Sequence, residues 1–160
     1  MNTSSTKCRL EREFHLPNKQ TFTIKPIAKL LKQEVNQPCI DPFPYPFERD
    51  ALEYLRELPD DYASTVLFDP PYSPTQLKEC YQNEGLAYTQ EMKNNGYWSK
   101  LQREVSRIVK PGGKVIKFGW NTGRIYKGFE IVRILIVCHG SHHNDTLVTV
   151  QIKRSGGLFS

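Results

Sequence analysis

Four consecutive residues, Asp69-Pro70-Pro71-Tyr72, offer the chain's most specific chemistry. They follow the apolar run Ala63–Phe68, whose β-branched and aromatic residues predict a buried strand. Two prolines cannot continue a sheet, so the acid and the aromatic ring are delivered at the strand's carboxyl end. In open α/β sheets that edge is where ligands sit. A carboxylate, a rigid turn and an exposed ring together suit a planar group that carries an amino substituent. The ring stacks on the plane, the carboxylate accepts hydrogen bonds from the amine, and the prolines fix the angle between them. Asp-Pro-Pro is also ordinary turn chemistry, because Asp caps its own backbone and Pro presets φ, so the surroundings must decide.

Those surroundings alternate helix and strand. Residues 24–35 carry Ile24, Ile27, Ala28, Leu31 and Val35 at helical spacing, with Pro26 tolerated in the first turn. Residues 38–43 predict a short strand, and a helix then opens at Arg49 or Asp50 and runs to Leu58, closed by Pro59. Residues 98–109 place Trp98, Leu101, Val105, Ile108 and Val109 on one helical face and stop at Lys110-Pro111-Gly112-Gly113. Strands follow over residues 114–118, 128–137 and 144–152. Residues 1–20 are polar and charged with little periodicity, which predicts a loose N-terminal arm. Its Lys7, Arg9, Arg12 and Lys19 are solvated charges or phosphate contacts.

Strand, Asp-Pro-Pro-Tyr, helix, Lys-Pro-Gly-Gly, strand resembles the arrangement of the amino-group DNA methyltransferases, which methylate adenine N6 or cytosine N4 with S-adenosylmethionine. The resemblance extends from about Phe14 to the last strand. It implies an α/β, Rossmann-like S-adenosylmethionine methyltransferase fold with a mixed sheet, in one domain over residues 1–160. It also implies Asp69, Pro70, Pro71 and Tyr72 as the catalytic grip on a flipped base in DNA, the leading Asp favouring adenine. The segment Thr21-Phe22-Thr23-Ile24-Lys25-Pro26-Ile27 looks like the family's segment beside the cofactor, which points to Phe22, Thr23, Lys25 and Pro26. Cys39-Ile40-Asp41-Pro42-Phe43 looks like the start of its cofactor strand, which points to Asp41 and Phe43. Asp50 and Ala51 resemble the segment beside the cofactor's adenine. No metal is implied. An RNA-base amino methyltransferase and a degenerate, binding-only domain are the alternatives.

One departure matters. The family places a glycine-bearing loop, a helix and a second strand after its first strand, whereas here only Pro44-Tyr45-Pro46-Phe47-Glu48-Arg49 separates Phe43 from Asp50. A parallel crossover needs about a dozen residues, so the sheet is expected to lack outer strands and to pair its first strand directly with the Asp69 strand. The first strand then lies at an edge. Phe43-Pro44-Tyr45-Pro46-Phe47 either caps it or forms an apolar patch, and a homodimer is the favoured expectation.

At 160 residues, one core is expected. The net charge of +5 suits a polyanionic partner such as DNA, though only weakly. No apolar stretch approaches a membrane span and residues 1–6 lack a signal-peptide core, so a cytoplasmic protein without membrane contact is expected. Cys8, Cys39, Cys80 and Cys138 show no paired spacing, which suits reduced thiols. Cys138, His139, His142, His143 and Asp145 are residue types of a zinc site, but they sit between two expected strands without a second paired cluster. A polar hairpin loop, with or without a DNA contact, is the expectation there. Tyr97 and Trp98 read as core or staple residues, Lys110 as a solvated helix end, and Trp120 as either packing or part of the ligand edge.

Overall fold

The computed structural model describes residues 7–44, 48–94 and 96–155. It is an α/β structure with a mixed six-stranded sheet and, among the described residues, five helices. In chain order these are β1 (Arg9–Phe14), α1 (Lys25–Glu34), β2 (Cys39–Ile40), α2 (Ala51–Glu57), β3 (Ala63–Phe68), α3 (Pro74–Asn83), α4 (Gln90–Lys93), α5 (Gly96–Ile108), β4 (Val109–Gly119), β5 (Phe129–Cys138) and β6 (Thr146–Lys153). A single 3-10 turn, Thr21–Thr23, precedes α1. The strands lie in the order β1-β5-β6-β4-β3-β2. β2, β3 and β4 run parallel, β6 lies antiparallel between β4 and β5, and β1 runs parallel to β5.

β3 is buried or half-buried along its length because both faces of the sheet are covered there. On one face α2, α3 and α5 bring Leu52, Leu55, Leu77, Leu101, Val105 and Ile108 against Val66, Phe68 and Val115. On the other, Ile24, Ile27 and Leu30 pack on Ile116, Phe118, Leu135, Val137, Val148 and Val150. β2 pairs with β3 through Cys39↔Thr65 and Ile40↔Val66 and ends the sheet on that side, as the short 43–50 connection requires. Phe43 turns inward and meets Phe68 edge-on, with ring centroids 5.8 Å apart, so it is not part of an exposed patch. Tyr45, Pro46 and Phe47 lie outside the described residues.

Three expectations are corrected. The loose arm over residues 1–20 contains β1, an edge strand that the charge-rich sequence Arg9-Leu10-Glu11-Arg12-Glu13-Phe14 conceals. Its signal is hidden because Glu11 pairs with a buried arginine on β5, adjacent in the sheet but 122 residues away in sequence. β4 begins at Val109 and not after the glycines, with a register shift between the pairs Ala63↔Val109 and Thr65↔Lys114. Gly112 takes φ +77 in that irregular stretch, and a Cβ on Gly113 would lie 2.8 Å from the Lys110 carbonyl oxygen, so both positions require glycine. Finally, Lys110, expected as a solvated helix end, lies within β4 and is half-buried.

β1 and α1 are tied to the sheet by charge. Arg133 on β5, buried, donates to both carboxylate oxygens of Glu11 at 2.6 and 3.2 Å and to Glu34 on α1 at 3.0 Å. Lys114 on β4 donates to the second oxygen of Glu34 at 3.0 Å. The hydrogen bond from Arg133 holds Glu11's carboxyl below its ordinary value. Removing the arginine would leave two half-buried carboxylates short of partners, which costs about 2–4 kcal/mol. Arg133→Met should therefore lower the urea midpoint at pH 7 and speed amide exchange in β1. A depressed carboxyl stabilises the fold above its unfolded pKa, so the gap from the parent should narrow as pH falls below about 4.5.

Candidate functional site

β3 ends at Phe68 because Pro70 and Pro71 have no N–H to give a ladder. The chain then turns into α3, whose N-cap Ser73 accepts a hydrogen bond from the Gln76 N–H at 3.2 Å, with Pro74 in the first turn. The Gln76 side chain reaches back and accepts from the Tyr72 N–H at 2.9 Å. This is a capping box displaced by one residue, and it fixes the backbone that carries the Tyr72 ring. The signature Ser73-Pro74-Thr75-Gln76 was available in the sequence as a helix start.

Asp69 is half-buried at this strand end. Burial pushes its carboxyl up to about 6, against a hydrogen bond from Thr21 that lowers it, and the negative charge of Asp41 adds to the rise. Asp41 follows β2, the neighbouring strand, and burial raises its carboxyl too, although the Phe43 N–H donates to it at 3.0 Å. Asp69 and Asp41 thus stand on adjacent parallel strand ends, each with its carboxyl raised by burial.

Pro70, Pro71 and Tyr72 stand between two hollows. One, of ≈ 300 Å³, is lined by Asp69, Thr21, Phe43, Gln76, Glu79 and Lys19, among others. The other, of ≈ 290 Å³, contains Trp98, Gln102, Lys117, Gly119, Trp120 and Asn121. The Tyr72 ring is partly exposed and lies beside the Trp120 indole, with centroids 4.7 Å apart and an interplanar angle of 33°. Lys117 on β4 donates to the Asn121 side-chain oxygen at 2.9 Å and to the Gly123 carbonyl at 3.0 Å, and burial lowers its pKa. The Gly123 N–H donates to the same Asn121 oxygen at 3.0 Å.

The remaining sequence-based candidates separate into two groups. Phe43 and Thr21 share the first hollow with Asp69 and Tyr72. Asp41 lines a neighbouring one of ≈ 230 Å³ with Arg49 and Tyr54. Phe22 packs on Phe118 at 5.2 Å, Pro26 and Ala51 are buried in helix first turns, and Lys25 is exposed. The Thr23 hydroxyl donates to the Gln20 carbonyl at 2.8 Å. Asp50 is the N-cap of α2 and accepts from the Glu53 N–H at 2.9 Å, from the Tyr97 hydroxyl at 2.7 Å and from the Tyr81 hydroxyl at 2.9 Å. Its carboxylate thereby ties α2, α3 and α5 together. A wider hollow of ≈ 590 Å³ beside it carries mixed charge from Arg49, Glu53, Arg56 and Glu91.

In the 138–145 loop, His139 is buried with one ring nitrogen against the His15 carbonyl at 2.7 Å and the other against the Thr146 hydroxyl at 2.8 Å. Cys138 accepts from Arg12 at 3.0 Å. No group of three or more metal-binding side chains occurs among the described residues.

Neither a family model nor a curated protein matches the chain. A solved structure described as "Crystal Structure of PH0851" is similar to it with a TM-score of 0.41 and 16% identity, over 89% of this chain and 36% of that one. The chain thus spans little more than a third of that protein's length. No helix is long and apolar enough to cross a membrane among the described residues.

A carboxyl raised by folding favours the folded state when protonated, so its ionisation costs stability as pH rises from about 3.8 through about 6. Asp69→Asn should therefore stabilise the protein at pH 7.5, by on the order of 1–2 kcal/mol, and should change little at pH 3.5. Thermal melts of the two proteins across that range provide the measurement.

Proposed function

We propose that the chain is an S-adenosylmethionine-dependent methyltransferase of Rossmann-like fold that acts on adenine N6 in DNA. The observation that carries this reading is the end of β3, where a desolvated carboxylate, a proline turn and an aromatic ring stand within one edge of the sheet. The strand order supports it, since the acid sits at the carboxyl end of a central parallel strand.

The residues present suit the cationic end of the cofactor. S-adenosylmethionine carries a sulfonium and an α-ammonium, and the raised carboxyls of Asp69 and Asp41 gain most from cationic neighbours. Asp41, Phe43 and Thr21 would hold it, with the buried Phe43 as an apolar floor. When bound, it supplies an electrophilic methyl group. Asp50 and Ala51 would contribute by fixing the start of α2, since the Asp50 oxygens are engaged within the protein.

The chain's own part in transfer is to prepare the amine. The N6 lone pair of adenine is delocalised into the ring, and attack requires the nitrogen to pyramidalise. The ionised Asp69 carboxylate and the Pro70 main-chain carbonyl each accept one N6 hydrogen. These bonds are better aligned in the pyramidal transition state than in the planar ground state, and that difference lowers the barrier. The N6 proton displaced by methylation leaves along its hydrogen bond to the Asp69 carboxylate and on to solvent. Stacking on Tyr72 offsets part of the cost of taking the base out of a helix, a few kcal/mol. The Gln76 bond to the Tyr72 backbone keeps ring and carboxylate in a fixed relation.

Transfer of tritiated methyl from S-adenosylmethionine to adenine-containing DNA tests the reading. Asp69→Ala should reduce transfer by about 100-fold or more, with the fold retained. Unaltered turnover would remove the mechanism. Tyr72→Ala should weaken substrate binding about tenfold and Tyr72→Phe should be tolerated, because stacking uses the ring. An acceptor must be ionised, so kcat/KM should fall as pH drops below about 6. Nucleic-acid binding without transfer by the unaltered chain would identify a binding-only domain.

A further inference from the structure

Trp120 has no place in the grip described above, yet it lies directly on the ring proposed to stack the base. Its centroid is 4.7 Å from that of Tyr72, a separation that leaves no room for a third ring between them. It is also the more exposed of the two, at 49% against 37%. Large aromatic side chains are usually drawn inward, and an exposed stacked pair at a ligand edge satisfies only part of its apolar surface.

The turn that follows Trp120 is braced by side-chain hydrogen bonds from β4 and β6. Trp120 directly follows β4, and the turn after it is braced by Lys117, whose ammonium donates to Asn121 and to the Gly123 carbonyl, while the Gly123 N–H donates to Asn121. Behind this turn the buried Gln151 accepts from the Ile125 N–H at 2.8 Å and donates to the Gly123 carbonyl at 3.2 Å. Rotation about the Trp120 side-chain bonds can therefore open the pair without disturbing the strand. The adjoining hollow of ≈ 290 Å³, lined by Trp98, Lys117 and Gln102, gives the indole room to move.

We propose that Trp120 is the second jaw of a base clamp, the Tyr72–Trp120 pair opening to admit the unpaired adenine between the two rings. Insertion replaces one ring–ring contact by two ring–base contacts, so the exchange favours the bound base. Each ring–base contact is worth roughly tenfold in affinity. The closed pair is then the resting form of the site, which shields both aromatic faces until a base arrives. Tyr72 is oriented by the Gln76 capping bond and Trp120 by the Lys117-braced turn, so the jaws belong to separate elements and can part. Trp120 is a positioning and binding residue for the substrate base, with no part in the transfer itself.

The inference rests on the base-binding reading, and the experiment separates the two. The probe is a DNA duplex with a single 2-aminopurine opposite an abasic site, which presents a purine already unpaired. Binding is read from 2-aminopurine fluorescence and from fluorescence anisotropy of an end label, without any methyl donor. In the unaltered chain, 2-aminopurine emission should be quenched on binding, as expected for a purine between two aromatic rings. Trp120→Leu should weaken binding about tenfold and lose most of the quenching, and Trp120→Phe should recover both. Equal affinity and quenching in Trp120→Leu would overturn the second jaw; if Tyr72→Leu still lost both, the base-binding reading would stand. Tighter binding by Trp120→Leu would also overturn the clamp and make the indole a plug over Tyr72. No quenching in the unaltered chain would overturn both.

Discussion

The ending of β3 is the constraint on which the site depends. A central parallel strand is buried on both faces, and two prolines in succession forbid one more rung. The acid just before them is therefore left at the boundary between core and solvent, where water is scarce and the pairing of neighbouring strands is already complete. Its raised carboxyl follows from that position. So does its proximity to Asp41, because β2 and β3 run parallel and end on the same side.

The helices transmit this arrangement to the rest of the protein. Asp50, Tyr81 and Tyr97 join α2, α3 and α5 through one carboxylate, and burial pushes the Tyr81 hydroxyl up to about 12. α3 starts three residues after Pro71, so its anchoring at Tyr81 also anchors the turn that bears Tyr72. On the opposite face α1 is fixed to the sheet by Ile27 and Leu30 and at its end by Glu34. The 3-10 turn before α1 then brings Thr21 to Asp69. Each partner of the carboxylate is thus positioned by an element whose own packing is independent of any ligand.

Much of this was legible in the sequence. Ala63–Phe68 was readable as a strand from its β-branched and aromatic residues, α1 and α5 from apolar residues at helical spacing, and α2 from its start at Arg49 or Asp50 and the proline that closes it. The edge position of β2 followed from the shortness of the link to Asp50. β1 was not legible, since an edge strand whose side chains are largely exposed has no apolar alternation to display. Nor were the roles of Thr21, Gln76 and Lys117, whose partners lie in other elements or on backbone atoms that residue types do not reveal. Asp50 was legible as a helix cap, but the two tyrosines that take up its carboxylate are 31 and 47 residues away.

Under the proposed reading, the raised carboxyls of Asp69 and Asp41 are the groups that the cofactor's cations meet. Calorimetric titration with S-adenosylmethionine at pH 6, in the presence of an adenine-containing single-stranded oligonucleotide and in two buffers of different ionisation enthalpy, tests that contact directly. A cationic ligand favours the ionised carboxyls, so binding should be accompanied by net release of protons, larger at pH 6 than at pH 8. Absence of binding under these conditions, or binding with no proton release at either pH, would contradict the assignment of this strand end to a sulfonium cofactor.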